Sequence, residues 1–123
     1  MLGELAEIAS LVHIYIREAH PVDEWHMGSN DPSSKHPEGL CFQQPTNIAG
    51  RIEIARKMVS DCGLTAQVLC DSIKNEADSF RATCPDRLFV LRGGRIVFKG
   101  GPGPFLYDVE ELYNFLRAFR HHG

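Results

Sequence analysis

The feature that most limits this chain is a pair of short apolar runs with a helical period between them. Leu11–Ile16 (LVHIYI) and Ala66–Cys70 (AQVLC) show little polar alternation, which is how strands covered on both faces read. Between them, Ile48, Ile52, Ala55, Met58 and Val59 line one helical face to about Asp61. Thr46 or Asn47 stands where a cap belongs, and Gly63 where a stop belongs. A helix joining two such strands makes a right-handed crossover between parallel neighbours.

The remaining elements follow from period and punctuation. Leu2, Leu5, Ala6 and Ala9 share a helical face before the first strand. Asn75 is placed to cap a short helix to about Thr83, with Ala77 and Phe80 inward and Pro85 beyond its end. Leu88–Leu91, Arg92-Gly93-Gly94 and Ile96–Phe98 read as a hairpin. Gly100 to Pro104 breaks regular structure; Asp108 and Glu111 then form a capping box for a last helix, with Val109, Leu112, Leu116 and Phe119 facing inward. The order predicts an α/β fold with a mixed central sheet flanked by helices. At 123 residues the chain suffices for one domain and not for two, so residues 1–123 are expected to form a single domain.

Residues from about 19 to 46 stand apart. His20, Pro21, Trp25, His26, Gly28, Asn30, Pro32, His36, Pro37 and Gly39 are turn formers and polar residues without a period. A long loop insertion inside a small domain is commonly functional.

Composition removes several classes. The net charge is −3 and the basic residues are scattered, so no nucleic-acid partner is expected. No apolar run approaches the roughly 18 residues that span a bilayer. Met1 to Ala9 carries Glu4 and Glu7 and no basic side chain, unlike a signal peptide, and a cytoplasmic location is expected. Cys41, Cys62, Cys70 and Cys84 form no CxxC pair and no zinc spacing, and His26 and His36 lack ligand spacing. No metal is expected, and the thiols are expected to be reduced.

The segment Ile14 to Pro21 (IYIREAHP) resembles the strand-end motif of the iodothyronine deiodinase family, with Trp25 following at the family's spacing. Pro85 to Leu91 (PDRLFVL) resembles a later strand of that family, and Gly93 to Gly101 with Pro102-Gly103-Pro104 its hairpin and exit. Asp71 after the second run also fits, and the resemblance extends from about residue 5 to about 118. It implies a thioredoxin-like fold, followed here from its first long helix onward, so the chain reads as N-terminally truncated. It implies an oxidoreductase that removes iodine from an aromatic substrate at the expense of a thiol. A selenocysteine or cysteine attacks the iodine, Glu18 and His20 occupy the proton-relay positions, Tyr15 lies near the same site, and Asp86 matches an acidic residue there. Trp25 and Gln44 are expected to contact substrate. The thiol is a co-substrate, and no cofactor is expected.

Residue chemistry is compatible with that assignment. Ligand sites in open α/β sheets gather at the carboxyl ends of strands. Glu18 and His20 are two apart just past such an end, so an extended exit turns both the same way. Histidine holds and releases protons near neutrality, and a carboxylate beside it raises its proton affinity. His13, inside the strand, reads as a packed histidine.

Three departures separate the sequence from the family pattern. No cysteine precedes Leu11, where the family's nucleophile is expected; Gln43-Gln44-Pro45 stands where relatives have a second histidine; and Pro102 replaces an arginine that would grip a carboxylate. Two further readings therefore stay open. One is a general thioredoxin- or peroxiredoxin-like thiol protein. The other is a non-catalytic module that dimerises through an open sheet edge.

Overall fold

Both apolar runs form strands and pair in parallel. In the computed structural model, which describes residues 2–24, 42–81 and 86–122, β1 (Val12–Tyr15) lies beside β2 (Gln67–Cys70). Val12 is opposite Gln67, and Tyr15 is opposite Cys70. The connection is α2 (Ile48–Cys62), which packs on β2. This is the crossover expected from the sequence.

Cover on both strand faces was expected, and the structure corrects this. Burial alternates along both strands, with Ile14 56% and Leu69 47% exposed. The pleat sends alternate side chains to opposite faces, and only the face of His13, Tyr15, Val68 and Cys70 is partly covered.

Asn47, not Thr46, caps α2: its backbone is extended and its Oδ1 accepts from Gly50 N at 2.8 Å. Gly63 ends the helix in the left-handed conformation, φ 60°, which favours glycine. Of the expected apolar face, Ala55 is buried but Ile48 is exposed; the other buried residue of α2 is Arg51.

The third helix, α3 (Glu76–Arg81), is capped differently from the expectation. Asp71 accepts from Ala77 N at 2.9 Å and Asp78 N at 3.1 Å, whereas Asn75 takes a left-handed conformation, φ 57°. Asp71 is free to cap because it leaves β2 just ahead of the turn. Phe80, expected inward, is 76% exposed; a six-residue helix is too short to carry an apolar stripe past its first turn. Thr83 and Pro85 lie outside the described residues.

Val12–Arg81 forms one compact unit, and Met1–Leu11 with Ala82–Gly123 the other. The second holds α1 (Leu2–Ile8), the antiparallel pair β3 (Phe89–Arg92) and β4 (Arg95–Lys99), and α4 (Val109–His122). Gly93 and Gly94 make the hairpin turn at φ 56° and 75°, the positive pair that a tight hairpin requires. Asp108 Oδ1 accepts from Glu110 N and Glu111 N, so the cap expected for α4 is present. Leu112 and Leu116 are buried, and Phe115 lies between Phe98 and Phe119 at ring distances of 5.0 and 5.5 Å. Val109, expected inward, is exposed in the first turn of α4, ahead of the part that meets the hairpin. The parallel and antiparallel pairings together with the helices make a mixed α/β fold. No helix among the described residues is long and apolar enough to cross a membrane.

Candidate active site

Because β1 and β2 are parallel, both carboxyl ends open at one edge of their unit. Tyr15 is the last residue of β1, and its carbonyl accepts from Asp71 N at 2.8 Å just beyond β2. Its hydroxyl is buried and has no hydrogen-bond partner among the described residues.

Glu18 follows, half-buried. Its peptide is held by one side chain: Glu18 N donates to Gln44 Oε1 and Gln44 Nε2 donates to Glu18 O, each at 3.0 Å. Gln44 N in turn donates to Asp23 Oδ1 at 2.8 Å, and Val22 N to Phe42 O at 2.9 Å. Pro21 between them is fully buried. The chain leaving β1 is thus fastened to the chain entering α2. Primary amides suit this task because they carry both a donor and an acceptor.

Arg51, in the first turn of α2, is 1% exposed. Its Nη1 donates to the carbonyls of Asp71 at 3.2 Å and Ser72 at 2.6 Å, and its Nη2 donates to Asn75 Oδ1 at 2.7 Å. Burial pushes the Glu18 carboxyl above the usual carboxylate range, and the Arg51 guanidinium opposes that rise.

Four of the six expected site residues are therefore in this unit. Tyr15, Glu18 and His20 lie along the exit of β1, with His20 half-buried in the bend before Pro21, and Gln44 is bonded to Glu18. Gln44, expected to contact substrate, is committed to the Glu18 peptide through its amide. Asp86 belongs to the other unit; it is exposed, and its carbonyl accepts from Gly103 N at 2.7 Å. Trp25 lies outside the described residues, as do Cys41 and Cys84. Cys62 is an exposed free thiol in the last turn of α2, and Cys70 a half-buried one opposite Tyr15. Among the described residues no three His, Cys, Asp or Glu side chains gather as a metal site.

Arg51 escaped the sequence reading. A signal for it exists, since Arg51 lies on one helical face with Ile48 and Ala55, three residues after one and four before the other. An arginine inside an apolar stripe is a candidate buried cation.

The family model described as iodothyronine deiodinase matches residues 1–120. The chain belongs to the iodothyronine deiodinase family. It is 30% identical over 120 residues to a thyroxine 5-deiodinase of Sparus aurata, covering 98% of this chain and 42% of that protein. A type I iodothyronine deiodinase of Xenopus laevis is 30% identical over 116 residues, 94% of this chain and 42% of the relative. A type II enzyme of Petromyzon marinus is 31% identical over 123 residues, 98% of this chain and 39% of the relative. This deiodinase-family chain thus spans less than half the length of these relatives. What its site offers chemically is a half-buried carboxyl that keeps its proton to higher pH than an exposed one, two residues from a histidine.

Proposed function

We propose that this chain carries the proton-handling part of a deiodinase-type oxidoreductase on a thioredoxin-like fold. The single observation that carries the reading is Glu18, fixed by Gln44 at the carboxyl end of β1 and raised in proton affinity by burial. Family membership over residues 1–120 supports the reaction class.

The reaction is reductive dehalogenation of an iodinated aromatic. A thiolate or selenolate placed ahead of β1, at the family's position, attacks iodine. A chalcogen–iodine bond forms and the carbon–iodine bond breaks, its electron pair staying on carbon. That carbon takes a proton delivered by His20 and Glu18. Two equivalents of thiol then reduce the chalcogen–iodide, giving a disulfide, iodide and two protons and regenerating the chalcogenolate; one proton reloads the His20–Glu18 relay and the other leaves with iodide. In sum, the aryl iodide and two thiols become the dehalogenated arene, hydrogen iodide and a disulfide, with no bound cofactor.

The test is iodide release from iodothyronines and simpler iodophenols by the protein expressed from its full reading frame, with dithiothreitol as reductant. Thiol-dependent iodide release, lost in Glu18→Gln, is the expected result. Peroxide or disulfide reduction without iodide release overturns the proposal in favour of a general thiol redox protein.

A further inference from the structure

Gln44 and Arg51 stand on either side of the Asn47 cap of α2, and each reaches a different strand exit. Gln44 holds the Glu18 peptide beyond β1, at 3.0 Å each way. Arg51 holds the Asp71 peptide beyond β2, its Nη1 donating to Asp71 O at 3.2 Å. The two exits are themselves joined, because Asp71 N donates to Tyr15 O at 2.8 Å. These links close a ring. It runs from Tyr15 along the chain to Glu18, across Gln44 to the start of α2, along the first turn to Arg51, across to Asp71 and back to Tyr15.

Two links of the ring are side chains, Gln44 and Arg51; the rest is main chain. Arg51 is the buried one, and a cation out of water is costly unless its donors are satisfied. A guanidinium is a rigid planar fork that can hold several acceptors in one fixed arrangement. Here it takes Asp71 O, Ser72 O at 2.6 Å and Asn75 Oδ1 at 2.7 Å together. The carboxylate of Asp71 is already committed to Ala77 N and Asp78 N. Asp71 is thus held at its N–H, its carbonyl and its side chain, and Arg51 supplies the hold on the carbonyl.

We propose that Arg51 is a positioning residue of the candidate active site, setting the place of Tyr15 and Glu18 through the Asp71 peptide. The inference rests on reading Glu18 as a proton carrier, and it assigns what keeps that carrier in place. A proton donor works only within hydrogen-bond reach of its target, and a misplacement of about 1 Å can cost roughly 10²-fold in rate. A peptide that shifts at Asp71 shifts its partner Tyr15, and with it the exit that carries Glu18.

The experiment is amide hydrogen exchange, read by NMR, in the full chain and in Arg51→Met and Arg51→Lys. Arg51→Met is expected to speed exchange at the Asp71 amide and, across the ring, at the Glu18 amide by about tenfold or more, and Arg51→Lys to restore part of the protection. Faster exchange confined to residues 72–78 would mean that Arg51 serves the β2–α3 turn alone, which overturns the proposal. An equal rise at every protected amide, that of Leu69 included, marks general destabilisation and also overturns it. Should Arg51→Met not fold, Gln44→Ala opens the ring from its other side. The Asp71 amide should then exchange several-fold faster, and an unchanged Asp71 amide sinks the inference. In the iodide assay, Arg51→Lys should lower kcat about tenfold and leave KM within about twofold. Exchange requires no turnover, so failure of the dehalogenation reading is separable from failure here.

Discussion

Gln44 and Glu18 form a two-way bond across 26 residues of sequence: the amide of Gln44 both donates to and accepts from the peptide of Glu18, at 3.0 Å each way. This holds the exit of β1 against the start of α2. Gln44→Ala should lower unfolding free energy by about 1–3 kcal/mol, the cost of leaving part-buried peptide groups unpaired. Chemical denaturation checks it, and a variant as stable as the parent would show that the clamp contributes nothing.

Glu18 makes stability depend on pH in a direction opposite to that of most carboxylates. Burial, opposed by Arg51, leaves its folded proton affinity above the unfolded value. A group raised in this way contributes most below its unfolded pKa, about 4.3 for glutamate. That contribution is lost as pH rises through the folded value. Glu18→Gln, which stays neutral, should therefore gain stability relative to the parent between acid and neutral pH. Denaturation midpoints of both proteins at several pH values test the sign. A difference that stays constant or reverses contradicts it.

Asn75 carries two duties, a left-handed backbone at φ 57° and an acceptor for Arg51 at 2.7 Å. Glycine can perform the first duty and valine neither. Asn75→Val should be less stable than Asn75→Gly by about 1–2 kcal/mol. Equal stabilities in thermal unfolding would mean that the turn relaxes to another conformation.

In the other unit, Leu116 is 5% exposed and Phe105 is 94% exposed. Leu116→Ala should cost about 2–5 kcal/mol, since it removes packed methyl groups and leaves a cavity. Phe105→Ala should stay within about 0.5 kcal/mol of the parent. Comparable losses in urea denaturation would place Phe105 in an interface.

If the protein dehalogenates as proposed, His20→Ala should reduce kcat by roughly 10²-fold or more, the range for a lost acid–base group. His13, inside β1, serves as the control, and His13→Ala should mainly cost stability. Single-turnover rates with saturating thiol separate the two, and an unchanged rate in His20→Ala removes that residue from the mechanism.

Local signals were the legible part of this fold. The parallel pair, the long helix with its Gly63 stop, the glycine hairpin and the Asp108 cap all follow from residues close to one another in sequence. The motif Ile14 to Pro21 placed Tyr15, Glu18 and His20 at the exit of β1 for the same reason, because a strand end is a local feature. The errors concern burial and long-range partners. Phe80 lies on the expected helix and yet is exposed. Asn75 stands at the expected cap position, but Asp71 holds the helix N–H groups while Asn75 accepts from Arg51.

By itself the sequence determined element types, the crossover and the family, since apolar period, turn residues and a motif are written in consecutive residues. Only the tertiary structure decided that Gln44 grips the Glu18 peptide and that Arg51 lies buried with its guanidinium on the Asp71 and Ser72 carbonyls. Those relations depend on which side chains meet after α2 folds back across β2. The proton affinity of Glu18 is a property of that meeting, because burial and opposing charge are set by neighbours distant in sequence.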